Sequence, residues 1–148
     1  MRYHSKQGRG ADDTRGLAGE LIGTGADADR LLVCTLYARA ENLADPIYIH
    51  AKIGIVDDRW LTLGSANLNE HSLFNDTEMN LVTHDAALAE ETRLRLWSEH
   101  LALPVDRIPA DTTKAIDELW VPIGTEKLER REEGRPPHPR PGRRPHVS

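Results

Sequence analysis

Six residues, His50, Lys52, Asp57, Gly64, Ser65 and Asn67, are spaced H-x-K-x4-D-x6-G-S-x-N. At average residue usage such a pattern arises by chance on the order of once per 10^7–10^8 starting points. The residue types share one chemistry. A histidine titrates near neutrality and can serve as nucleophile or proton donor. A lysine two residues away supplies a fixed positive charge for phosphate oxygens. Ser65 and Asn67, reached through a glycine turn, add a hydroxyl and an amide as neutral donors. Donors fixed in advance around a centre where negative charge builds are usually the largest catalytic contribution. The scheme calls for no metal and no cofactor. Ser65 has a second reading, a bond to its own backbone, since hydroxyls do both.

The elements must hold these side chains together. From Ile47 to Val56 the sequence IYIHAKIGIV alternates. Ile49, Ala51, Ile53 and Ile55 share one side, and Tyr48, His50, Lys52, Gly54 and Val56 share the other. The spacing therefore predicts a strand with an aliphatic, packed face and with His50 and Lys52 side by side on its opposite face. Pro46 cannot donate to a ladder, which sets the strand's start near Ile47. Asp57-Asp58-Arg59 reads as a turn that Asp57 braces, and Trp60–Leu63 as the returning strand. The Gly64-Ser65-Ala66-Asn67 turn then closes beside the His50 end of its partner. Upstream, LLVCTLY (Leu31–Tyr37) is a continuous apolar run of strand length, expected to be buried on both faces with Cys34 in the core. Residues 11–22 predict a short helix weakened by Gly16 and Gly19. Downstream, Asp85 is a good N-cap for a helix to about Leu101, with Leu94, Trp97 and Leu101 as its apolar stripe and Glu91–Arg95 as a surface pair. A second helix is expected over Thr112–Trp120, with Pro122 separating it from the charged segment EKLERREE. Trp60, Trp97 and Trp120 read as core anchors, and His71, His84 and His100 as exposed.

Composition bounds what such a chain can be. Its 148 residues carry 19 Lys plus Arg against 24 Asp plus Glu, a net charge of −5. Residues 126–148 hold seven basic and four acidic residues, net +3, which leaves −8 for the rest. An acidic body argues against a general nucleic-acid binder, which needs a basic face to release counterions. The single cysteine, Cys34, forbids an internal disulfide or a cysteine-based zinc cluster. No apolar run reaches the roughly 18 residues of a membrane span, and MRYHSKQGRG has no signal-peptide core, so a cytoplasmic or membrane-peripheral location is expected. Three regions are predicted: 1–30, a poorly defined N-terminal segment; 31–121, one α/β domain; and 122–148, a charged, Pro/Arg-rich tail expected to be largely disordered.

The motif resembles the HKD signature of the phospholipase D superfamily. GSANLNEHSLFNDTEMNLV is more similar to the phospholipase and cardiolipin synthase branch than to the nucleases, and suggests the carboxyl-terminal half of a bacterial enzyme of that kind. The resemblance implies an α-β-α sandwich with a mixed β-sheet. It also implies a two-step phosphodiester transfer: one histidine attacks phosphorus to form a phosphohistidine while a second protonates the leaving alcohol. Lys52, Ser65 and Asn67 would hold the phosphoryl oxygens. Glu78, with Asp76 as the alternative, would orient His50. Two such motifs are required and this sequence carries one, because His4-Ser5-Lys6 has Ala11 where the aspartate should stand. The other comes from a second copy of the chain or from a missing N-terminal half. The substrate implied is a phospholipid, with at most peripheral membrane contact; Leu73 and Phe74 are either ordinary exposed apolar residues or a contact for lipid chains. A metal-independent nuclease and an inactive binding half-domain are the alternative readings.

Overall fold

The computed structural model describes residues 32–40, 43–67 and 69–135. The predicted 11–22 helix and the His4-x-Lys6 pair lie outside them, as do residues 136–148. The chain divides after Thr35 into two units. Of the first, residues 32–35 are described: they form no strand, and Val33, Cys34 and Thr35 are exposed. This corrects the expected buried strand over Leu31–Tyr37. An apolar run becomes a central strand only when strands flank it and layers cover it, and no strand among the described residues pairs with 32–36.

The second unit begins with a hairpin, β1 (Tyr37–Ala40) against β2 (Leu43–Pro46), antiparallel with Tyr37 opposite Pro46. Pro46 thus closes β2. An edge strand tolerates a residue with no donor, so the proline did not have to lie outside the ladder. The Ile47 N–H donates to the Leu36 carbonyl at 2.9 Å and extends the hairpin by one bond.

A three-stranded sheet follows, in the order β3 (Lys52–Val56), β4 (Trp60–Gly64), β5 (Asn80–Thr83). It is antiparallel throughout, so the described residues form no mixed sheet; each strand pairs with its neighbour in sequence. β3 is half the length expected from the alternation: residues 47–51 lie outside any strand. The β3–β4 turn is as read. Asp57 and Asp58 both adopt positive φ, 52° and 51°, and the Arg59 N–H donates to the Val56 carbonyl at 3.0 Å. That is the mirror-image turn whose twist suits a hairpin, and aspartate tolerates it better than most residues.

Helix α1 spans Ala86–Leu101, its N-cap Asp85 accepting from the Leu88 N–H at 3.1 Å. The predicted Glu91–Arg95 pair forms on its surface. A short 3-10 turn, Val105–Arg107, leads to α2 (Thr112–Ala115), a wide π turn (Ile116–Trp120) and α3 (Val121–Glu132). The helix therefore runs through Pro122 and takes in part of the expected tail. In the π turn the Val121 N–H bonds the Ile116 carbonyl, slipping the ladder by one residue. Pro122 then enters at the start of a new ladder, where its missing N–H costs least. Leu61, Ala89, Leu101, Ile108 and Ala115 are buried and define a core between β4, α1 and the segment leading into α2. Among the described residues the most deeply buried polar side chain is Arg93, one turn after Ala89. Its guanidinium makes two 2.7 Å bonds to the Asp58 carboxylate and one to the Ala110 carbonyl, and lies 4.7 Å from the Trp97 ring centre. The three tryptophans are half-buried, and Trp97 meets Trp120 edge-on at 5.8 Å. His100, expected exposed, is half-buried against Trp120 at 6.2 Å. A small antiparallel sheet with helices after it is compatible with an α/β domain.

Candidate functional site

The site lies at the end of the sheet opposite the aspartate turn. Lys52, Gly64 and Asn80 form one row across β3, β4 and β5. Directly paired residues on adjacent strands share a face, so Lys52 stands over the point where β4 gives way to Ser65, Ala66 and Asn67. Gly64 must be glycine there. A Cβ would come within 2.0 Å of Asn80 Oδ1 and 2.3 Å of the Met79 carbonyl, both closer than atoms can approach. The missing side chain lets β5 close onto the turn.

The turn is fastened by hydrogen bonds, not by packing. Ser65 N–H donates to the Met79 carbonyl at 3.1 Å, and Ser65 Oγ accepts from the Met79 N–H at 3.1 Å. Asn80 Oδ1 accepts from the Ala66 N–H at 3.2 Å. The Ser65 hydroxyl also bonds Glu78, so its backbone and bracing role is occupied. Glu78 is gripped further by buried Ser72, whose Oγ donates to Oε1 at 2.8 Å. These two hydroxyls hold the Glu78 carboxyl below the usual glutamate range against an upward push from burial, and the positive charge of Lys52 adds a smaller downward pull. Asn69 Oδ1 accepts from the Ser72 N–H at 2.9 Å and pins the base of a wide helical turn, His71–Asn75.

His50 is exposed on the segment preceding β3. Its ring lies 6.0 Å from that of Tyr48, tilted by 30°, so the two project to one side as their two-residue spacing requires. Lys52 Nζ donates to the His50 main-chain carbonyl at 2.8 Å. Glu78 makes no hydrogen bond to His50 in this arrangement; its partners are Ser72 and Ser65. Asn67 is exposed, and Asp57 is the exposed left-handed residue of the hairpin turn. The register thus brings together Lys52, Gly64, Ser65 and Glu78, while His50 and Asn67 flank them on exposed backbone. Three supporting residues escape a motif reading: Ser72, Asn80 and Asn69. The visible signal for one is Asn69 three residues before the Ser72 amide it accepts from, the spacing of a helix cap.

Set out in this way, the arrangement offers an imidazole, an ammonium and an ionised carboxylate around an open, polar turn, a set suited to an anion and to proton transfer. Residues 29–98 match a family model described as "Cardiolipin synthase, PLD-like domain". The chain is similar to phospholipase D zeta 1 of Arabidopsis thaliana, 38% identical over 96 residues that cover 51% of this chain and 9% of that protein. It is 37% identical over 79 residues to phospholipase D A of Dictyostelium discoideum, covering 41% of this chain and 6% of the relative. To phospholipase D alpha 1 of Spuriopimpinella brachycarpa it is 37% identical over 117 residues, or 64% of this chain and 14% of the relative. The chain thus spans a small fraction of the length of the curated relatives it matches. All three are eukaryotic, where the sequence reading expected a bacterial affinity. No solved structure matches.

Proposed function

Through residues 29–98 the chain belongs to the phospholipase D superfamily, and from this we propose that it supplies one half of a phosphodiesterase site that hydrolyses or transfers phosphatidyl groups. His50 acts either as the nucleophile, its imidazole nitrogen bonding to phosphorus as the alcohol oxygen leaves, or as the acid that protonates that oxygen. A second histidine takes the complementary role. Water, or another alcohol, then displaces the phosphohistidine and restores the imidazole. Lys52 and Asn67 hold the non-bridging oxygens, and Ser65 stiffens the turn that carries Asn67. Glu78 has capacity beyond its two serine bonds, since a carboxylate accepts about four. It is proposed to orient the imidazole once substrate draws His50 inward.

The observation that carries this reading is the Lys52–Gly64–Asn80 row: a glycine with no room for a methyl group lets the donor-bearing turn close beside the lysine. The need for a second motif has its own support. Ile53, Leu63 and Leu81 form an exposed apolar row on the other face of the same sheet, the kind of surface that a partner covers. A second copy or an N-terminal half seated there would extend the layer that α1 begins on that face, where Leu61 is buried. Phosphatidylcholine or phosphatidylglycerol turnover without divalent metal tests the proposal. Wild type is expected to exceed His50→Ala by about 10^2-fold or more, and equal rates would contradict it.

A further inference from the structure

Asn80 is tied to the Gly64–Asn67 turn by half of its side chain. Its Oδ1 accepts from the Ala66 N–H at 3.2 Å. A main-chain N–H can only donate, so this bond fixes which way round the carboxamide stands: the oxygen meets the turn and the Nδ2 amino group points away from that bond. Among the described residues Nδ2 has no hydrogen-bond partner, and Asn80 is exposed. Holding the turn requires an acceptor alone. Asn80 therefore presents two N–H donors that the fold does not consume.

The register puts those donors at the site. Asn80 pairs with Gly64, and Gly64 with Lys52. A Cβ on Gly64 would stand 2.0 Å from Asn80 Oδ1, so the carboxamide lies over the glycine, on the face to which Lys52 belongs. Neighbouring strands are ~4.8 Å apart, so Lys52 and Asn80 are rooted about 10 Å apart with no side chain between them. The Lys52 charge is felt at Glu78, two residues before Asn80, and so acts over the same stretch. Lys52 Nζ spends one proton on the His50 carbonyl and keeps two.

We infer that the Asn80 Nδ2 group is a further anion-binding donor of the site, meeting from the β5 side the phosphoryl oxygens that Lys52 meets from the β3 side. The choice of a phosphoryl group as the anion rests on the phosphatidyl-transfer reading; the choice of Asn80 rests on its bond to Ala66 and on the bare glycine beside it. An amide suits the place because it is neutral. A second ammonium there would form an ion pair with the ionised Glu78, whereas the amide stays available to an incoming anion. One side chain thus does two things, its oxygen closing the turn and its nitrogen facing what the turn receives.

Titration of the full chain with inorganic phosphate, followed by NMR through the side-chain amide signals of Asn80, tests this. Those signals, assigned by their loss in Asn80→Asp, are expected to shift and to saturate with the same dissociation constant as the Ser65, Ala66 and Asn67 main-chain amides. Asn80→Asp keeps an acceptor for the Ala66 N–H and removes both donors. The Ala66 amide should hold its downfield position in that variant while phosphate binding weakens by at least tenfold. Asn80→Ala should free the Ala66 amide as well, moving its signal upfield, and weaken binding by about tenfold. The inference is overturned if the turn's main-chain amides respond to phosphate while the Asn80 side-chain signals stay fixed, or if Asn80→Asp binds as the wild type does. In both cases the phosphodiesterase reading stands and Asn80 is a brace alone. If no signal of the wild type moves, that reading and this inference fall together.

Discussion

The two ends of the three-stranded sheet are built by opposite means. At the Val56–Trp60 end, Asp58 reaches into the core and is met by Arg93, which is enclosed by Trp97 and the Ala110 carbonyl. At the Lys52–Gly64–Asn80 end, exposed polar groups fasten one another and little apolar surface is covered. The first end supplies rigidity and the second supplies reactivity. A site that must admit an anion cannot be packed shut, so its geometry is set by bonds that leave water and substrate access while the core holds the far end of the same strands.

Cutting the buried tie is the most severe way to break this division. Asp58→Ala strands the Arg93 charge and should cost about 3 kcal/mol or more in urea unfolding. A loss within ~0.5 kcal/mol would mean that the turn end is not the anchor. Gly64→Ala acts at the other end and should cost about 1–3 kcal/mol, because β4 and β5 must part to admit the methyl group. It should also abolish turnover at temperatures where the variant is still folded. Retained turnover would show that the close approach is not needed by the site.

Acid is the mildest probe. The folded-state pKa of Glu78 is lowered, so the support from Ser65 and Ser72 is full above the usual glutamate range. It is lost only as pH falls through the lowered value. The Ser65 and Ser72 amide signals should therefore titrate below that range, and the transition should be absent in Glu78→Gln. Titration within the ordinary range would contradict the bonding described.

The sequence made the second end more legible than the first. The motif spacing brings Lys52, Gly64 and Ser65 to one end of the sheet, and the alternation correctly sets Lys52 on the opposite face from Ile53 and Ile55, because strand periodicity is a local property; the aliphatic face expected to be packed is exposed at Ile49, Ala51 and Ile53, because the cover over a face is not local. The aspartate turn, the Asp85 cap and the Glu91–Arg95 pair were readable for the same reason. Arg93 was not: its partner is 35 residues away, and an arginine on a helix ordinarily reads as solvated surface. The helix through Pro122 was missed because a proline reads as a stop until a π turn shifts the hydrogen-bond ladder. The apolar run at 31–37 has the composition of a central strand, but composition alone cannot supply the neighbours such a strand needs.

The central claim is that His50, Lys52 and the Gly64–Asn67 turn receive one phosphoryl group. Titration of the chain with inorganic phosphate, followed by NMR, tests this most directly. The account predicts saturable shifts at the His50 ring and at the Ser65, Ala66 and Asn67 amides, lost in Lys52→Ala. Shifts absent from that set in the wild type, or undiminished in Lys52→Ala, would contradict it.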